Sequence, residues 1–254
     1  MDRHGHRGDP ARAPDSGAGM GVLAAVVFVV AFIAFLTTSP TGDPAFPDVG
    51  NAQFAPAWFA VNLSAIRIAT LLTAVGIAVF LWFLAALWTR FREAEGPPGH
   101  GSMIVVIGGV AGSVLVLVGL ALTATAGLST SPGQASNIAT LYVASAMLTA
   151  FGGGMFSVFF FGAAKVIFAT RAFGRWLGWL AILAALLSAC AFMTPFFTAS
   201  VLNPATGALG RWAWTAAIVV WVFCASVALI VAERREARAR AVPAPASTTR
   251  EVTP

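Results

Sequence analysis

None of the ten carboxylates and none of the three histidines of this 254-residue chain falls inside a long apolar run. They sit in the tails and connecting segments, at positions such as Asp15, Asp43, Asp48, Glu93, Glu95, His100 and Glu233. Within a membrane, side chains of these types carry proton relays and cation coupling, and they supply most ligands of a zinc site. Their exclusion counts against a proton-driven pump, a carboxylate-based cation transporter and an intramembrane metal centre. Only two cysteines occur, Cys190 and Cys224, each inside an apolar stretch. They form no disulfide or metal framework, and a nucleophilic role would need a base that the spans do not contain. They are read as small packing residues. Phosphate-cradling glycine loops, HExxH and GxSxG are also missing. No cofactor and no catalytic residue is expected.

Charge is scarce. Charged residues make up 10% of the chain, against about 25% in a soluble domain. Hydrophobic residues reach 58% and the mean hydropathy is +0.84. The hydrophobic residues gather in six runs, at 19–36, 68–87, 103–128, 138–168, 177–197 and 212–232. The last five each reach the roughly 20 residues needed to cross a hydrocarbon core of about 30 Å. The first is the shortest. Arg3, Arg7 and Arg12 precede it, but that leading stretch is long, acidic as well as basic, and without a clear small-residue cleavage pattern. It is read as a retained span and not as a signal peptide. In lipid every backbone group needs an internal partner, so the runs are helices. The alternation that a β-barrel requires is absent.

The few cations set the orientation. Arg90 and Arg92 follow the second run, Arg171 and Arg175 the fourth, and Arg234, Arg235, Arg238 and Arg240 the sixth. The segments Thr37–Gln53, Ser129–Asn137 and Thr198–Gly210, after the first, third and fifth, contain no Lys or Arg. Basic residues on alternate sides place both termini in the cytoplasm. The net charge of +5 is explained in the same way, so no nucleic-acid partner is expected. Trp88, Trp176 and Trp179 fall at the inner interface, and Trp58, Trp212 and Trp214 at the outer one, the depth that amphipathic rings prefer. The sequence therefore predicts an all-α, polytopic six-span bundle over 19–232. A disordered cytoplasmic tail spans 1–18, and a basic, partly disordered tail spans 233–254 with anionic-lipid contacts. The lipid bilayer is the one partner the sequence implies. Fourteen arginines against one lysine, with abundant alanine, point through codon usage to a GC-rich bacterial genome.

Candidate sites are few. The fourth run is too long for an untilted crossing, so its helix must tilt, protrude or break, most easily at Gly152–Gly154. Ser145, Thr149, Gly153 and Ser157 recur every four residues on it, a small and polar face suited to helix packing or to lining a cavity. Gly108 and Gly112 carry the same spacing on the third run, continued by Gly119, Thr123 and Gly127, and the two stripes are expected to pair. Arg67 and Arg211 open the second and sixth spans on the outer side, at headgroup depth, as contacts for lipid or for an anion. Lys165 can snorkel to the inner interface. Asn51 and Pro56 mark a helix that starts ahead of the second apolar run.

Two stretches, Phe80–Gly96 (FLWFLAALWTRFREAEG) and Arg175–Ala181 (RWLGWLA), resemble an uncharacterised group of six-span integral membrane proteins from GC-rich, actinobacteria-like genomes. Gly174 stands where that group often has a proline. The resemblance implies the same architecture and transfers no activity. Three roles remain open. The first is a non-enzymatic membrane subunit or scaffold. The second is a transporter or channel for a neutral or anionic small molecule, lined by the fourth span. The third is an enzyme assembled from Asp48, Glu93, Glu95 and His100 at one interface.

Overall fold

The computed structural model describes residues 17–38, 49–129, 134–196, 201–204 and 207–241. Every regular element among them is helical: α1 (Gly17–Thr38), α2 (Ala55–Glu95), α3 (His100–Leu128), α4 (Ala135–Thr170), α5 (Arg175–Met193) and α6 (Trp214–Ala241). A 3-10 turn, Val49–Phe54, leads into α2, and a π turn, Ala208–Ala213, runs directly into α6. Among the described residues five helices, α2 to α6, are long and apolar enough to cross a membrane. The sixth, α1, is 22 residues long and packs against α2 and α6. Of the tails expected at 1–18 and 233–254, residues 1–16 and 242–254 lie outside the described residues, as does Asp48, while 17–18 and 233–241 belong to α1 and α6.

Helix α2 begins ahead of its apolar run, with Pro56 in its first turn, as Asn51 and Pro56 imply. Proline is tolerated there because the first N–H groups of a helix have no intrahelical acceptor. Helix α5 stops earlier than its apolar run, at Met193, and tightens into a 3-10 turn over Thr194–Phe196. Pro195 offers no N–H for another α-turn. At the other extreme, α6 carries on through the charged island to Ala241.

The glycines of α3 and α4 set the closest helix pair. Gly108 lies against the backbone of Phe159, Gly112 against the Gly152 carbonyl, and Gly119 against the Ser145 carbonyl. Any Cβ at these positions would force the backbones apart, so the stripes do pair, and they do so inside this chain.

The fourth span is one continuous helix of 36 residues. Its three central glycines are all occupied by neighbours and mark no break. Gly152 meets Val116 of α3, Gly153 meets Ala191 of α5 and Trp214, and Gly154 meets Phe192 of α5. At 1.5 Å per residue α4 is about 54 Å long, well beyond a hydrocarbon core of about 30 Å. Its first turns protrude beside the start of α2 and the end of α3. There a small second core forms from Phe59, Ile66, Ala126, Ile138 and Tyr142. This cap sits at the end opposite Arg90, Arg92, Arg171 and Arg175.

At the basic end, where α2, α4 and α6 finish, the α2–α3 connection is tied down. Glu95 accepts hydrogen bonds from the N–H of Gly101 (2.8 Å) and of Ser102 (2.9 Å), closing the N-terminus of α3. Arg92 donates to the Pro98 carbonyl at 3.1 Å. Glu95 lies past the apolar run. Partial burial pushes its carboxyl up, but the Ser102 and Gly101 N–H groups, with the Lys165 charge, outweigh that and hold it below the ordinary value. A carboxylate at a helix N-terminus also satisfies the dipole there.

Between the two ends the core is aromatic. Phe80, Phe156 and Phe159 meet edge to face at 5.7–6.2 Å. Trp221 sits edge-on to Phe159 at 5.3 Å and to Phe160 at 5.5 Å. Its indole N–H donates to the Leu177 carbonyl at 3.2 Å, which settles the one polar group of that ring.

Candidate functional site

Beneath the cap, α2, α3, α4 and α6 diverge around a cavity of about 630 Å³, with α1 along one flank. That volume lies within the roughly 300–1,000 Å³ range of small-molecule sites. Its floor is the aromatic layer, through Phe80 and Phe156, and its upper wall carries Tyr142, Ser145, Thr149 and Arg211. Among the described lining residues Arg211 is the single charged side chain, and none is a carboxylate.

The turn ahead of α6 places Arg211. Leu209 donates its N–H to the Val201 carbonyl at 3.0 Å, Gly207 to Asn203 at 2.9 Å, and Arg211 to Gly207 at 3.0 Å. Gly210 lies so close to the Leu202 and Asn203 carbonyls that a Cβ would strike both. This wide turn seats Arg211 and Trp212 beside the cavity, and π turns of this kind recur at functional sites. The guanidinium carbon lies 5.5 Å from the Trp212 ring centroid, in cation–π range. Trp214 is 5% exposed, stacks on Phe156, and donates its indole N–H to the Gly210 carbonyl at 3.0 Å. It was expected at an interface with lipid headgroups, and the turn carries it inward instead. Trp88, Trp176 and Trp179 are exposed near the basic end, consistent with the inner interface.

Five hydroxyls of the wall, those of Thr73, Thr123, Ser145, Thr149 and Thr215, are already engaged. Thr73 donates to Ala69 at 2.7 Å, Thr149 to Ser145 at 2.8 Å, and Thr215 to Arg211 at 2.8 Å, each onto a backbone carbonyl. Ser145 donates to the Tyr142 carbonyl at 3.0 Å, and its oxygen lies 3.1 Å from that of Thr123 on α3. Because their protons are used within the helices, water can leave this wall without stranding those donors.

The candidate residues therefore separate. Ser145, Thr149 and Arg211 come together at the cavity. Gly108, Gly112 and Gly153 are packing positions, and Ser157 is half-buried, donating to the Gly154 carbonyl at 2.6 Å. Arg67 and Lys165 are exposed and outside the lining. Glu93 and His100 are exposed as well, while Glu95 is held by the α3 N-terminus. Sequence reasoning missed Tyr142 and Thr215 as wall residues. That Tyr142 is the only tyrosine in the chain was the available signal for the first. No family model, curated protein or solved structure matches this chain.

Proposed function

We propose that the chain is a six-span protein of the bacterial plasma membrane, with both termini cytoplasmic, whose outward half binds a neutral or anionic small molecule. The observation that carries this reading is the 630 Å³ cavity, with one cation and engaged hydroxyls on its wall and aromatic rings across its floor. Counting α1 as the sixth span rests on its apolar run and its packing against α2 and α6. The orientation rests on the alternating basic segments, which leave the cavity on the side without them. A subunit or scaffold role ranks second. The small-residue faces that would receive a partner helix, at Gly108, Gly112 and Gly153, are filled by the chain itself. Transport or ligand sensing is the kind of task this site serves, and no enzymatic step is part of the reading.

Thiol accessibility tests it. In a Cys190→Ala, Cys224→Ala background, Thr149→Cys is exposed to a membrane-impermeant thiol reagent in intact cells. It should react well above the rate of Ser188→Cys, a fully buried position outside the cavity. Equal protection at both positions would remove the cavity from consideration.

A further inference from the structure

The shape and lining of the cavity say more about its occupant. Its wall runs along α4 from Tyr142 to Phe156, a rise of about 21 Å at 1.5 Å per residue. A volume of about 630 Å³ is drawn out over that length. The site is a slot, not a bowl. Its deep end, at Ile77, Phe80, Val116 and Phe156, is wholly apolar, and its single cation is at the upper end. The hydroxyls of Thr73, Thr149 and Thr215 donate to carbonyls of their own helices, so a hydrocarbon can lie along them without stranding those donors.

The slot also opens sideways. Val29 on α1 and Val220 on α6 both line it, yet they are 46% and 50% exposed. Ala216, one turn above Val220, is an exposed lining residue too. Among the described residues, the lining therefore reaches the outer surface of the bundle where α1 meets α6. In a bilayer those side chains face lipid.

We infer that the occupant is a single-chain amphiphile with an acidic head. It enters from the outer leaflet between α1 and α6, lays its chain in the slot and sets its head against Arg211. This deepens the proposed function and rests on it. A carboxylate and a phosphate monoester share the chemistry that a guanidinium recognises, and competition between two probes separates them.

The test uses the full chain in phosphatidylcholine nanodiscs and hexadecanoic acid carrying a diazirine near its methyl end. Irradiation should place adducts on the deep segments around Phe80, Val116 and Phe156. Excess hexadecanoic acid or hexadecyl phosphate should remove them, whichever binds more tightly naming the head, and methyl hexadecanoate should compete at least tenfold less well. Arg211→Gln should reduce the competed adducts about tenfold while Arg211→Lys keeps most of them. Val220→Trp should slow their appearance. Competition by the methyl ester equal to that by the acid overturns the proposal, and this comparison needs no variant to fold. So do adducts confined to outward-facing positions such as Leu71 and Val114. If Thr149→Cys reacts with the aqueous reagent but no adduct is competed, the cavity stands and the amphiphile falls. If Thr149→Cys is closed and no adduct is competed, both fall.

Discussion

Two adjacent glycines of α3 offer a controlled test of how the bundle is held together. Gly108→Ala and Gly109→Ala add the same methyl group to the same helix, and both glycines are buried. Their neighbours differ. At Gly108 the new Cβ meets the backbone nitrogen and Cα of Phe159 on α4, atoms that cannot turn aside. At Gly109 the nearest atom is the Leu84 Cδ2 at 2.8 Å, the tip of a side chain with other rotamers. Overpacking a tight contact costs about 1–3 kcal/mol, and a backbone-limited contact belongs at the upper end. Replacing Gly by Ala within a helix returns about 1 kcal/mol. Gly108→Ala should therefore lose about 2 kcal/mol, a factor of about 30 in the folding equilibrium. Gly109→Ala should stay within about 1 kcal/mol of the parent, because a shifted Leu rotamer costs about as much as the helix gains. Helicity of the purified chain in mixed micelles, followed against the mole fraction of sodium dodecyl sulfate, measures both. Equal losses at the two positions would refute a seam set by backbone contact between α3 and α4.

Two further outcomes follow from polar groups. Ser188 is fully buried, and its hydroxyl finds no hydrogen-bond partner among the described residues, so Ser188→Ala should raise stability by about 1 kcal/mol in the same assay. Ser113, equally buried, donates to the Gly109 carbonyl at 2.8 Å, and Ser113→Ala should not stabilise the fold. Glu95 has its folded pKa held below the ordinary 4.5, so its contribution is complete above that value and is lost as pH falls through the lowered folded value. In a pH series run downward from neutrality, Glu95→Gln should therefore flatten the acid-side loss of stability. An unchanged acid limb would show that Glu95 is not what closes the α3 N-terminus.

Much of the helical layout is legible in the sequence because one constraint dominates it: in hydrocarbon the backbone must satisfy itself, and apolar runs then map onto helices. The run at 103–128 becomes α3 with nearly the same limits. Even the pairing of α3 with α4 is visible, since glycines four apart admit a close backbone and little else. The cavity is not legible. Whether Thr149 faces a void or a neighbour depends on how α2 and α6 splay beneath the cap, and that follows from the protruding ends of three long helices. Arg211 shows the limit most plainly. Its place at the margin of an apolar run leaves lipid and an anion both open as its contact, and a π turn has no periodicity that marks in advance which wall it joins. Gly207 and Gly210, which allow the loop to fold back, are too ordinary a pair to announce one. The inward turn of Trp214 has the same cause.

The aromatic floor bears on which kind of traffic the cavity serves. A water-filled pore continuing to the basic end would have to pass Phe80, Phe156, Phe159, Phe160 and Trp221, which interlock by ring contacts. Each such ring buries about 150–250 Å², worth about 4–6 kcal/mol at about 25 cal/mol/Å². Wetting three of them would cost about 12 kcal/mol or more, leaving an open fraction of about one in 10⁹ or less. Thermal opening on that scale cannot support conduction, so a simple channel is the weaker form of the transporter reading. An occupant that enters and leaves between α1 and α6 leaves every one of those rings in place. For such a molecule the floor is a stop that sets how long a chain the slot accepts. Widening it with Phe156→Leu should then lengthen the preferred chain and should not open a conductance.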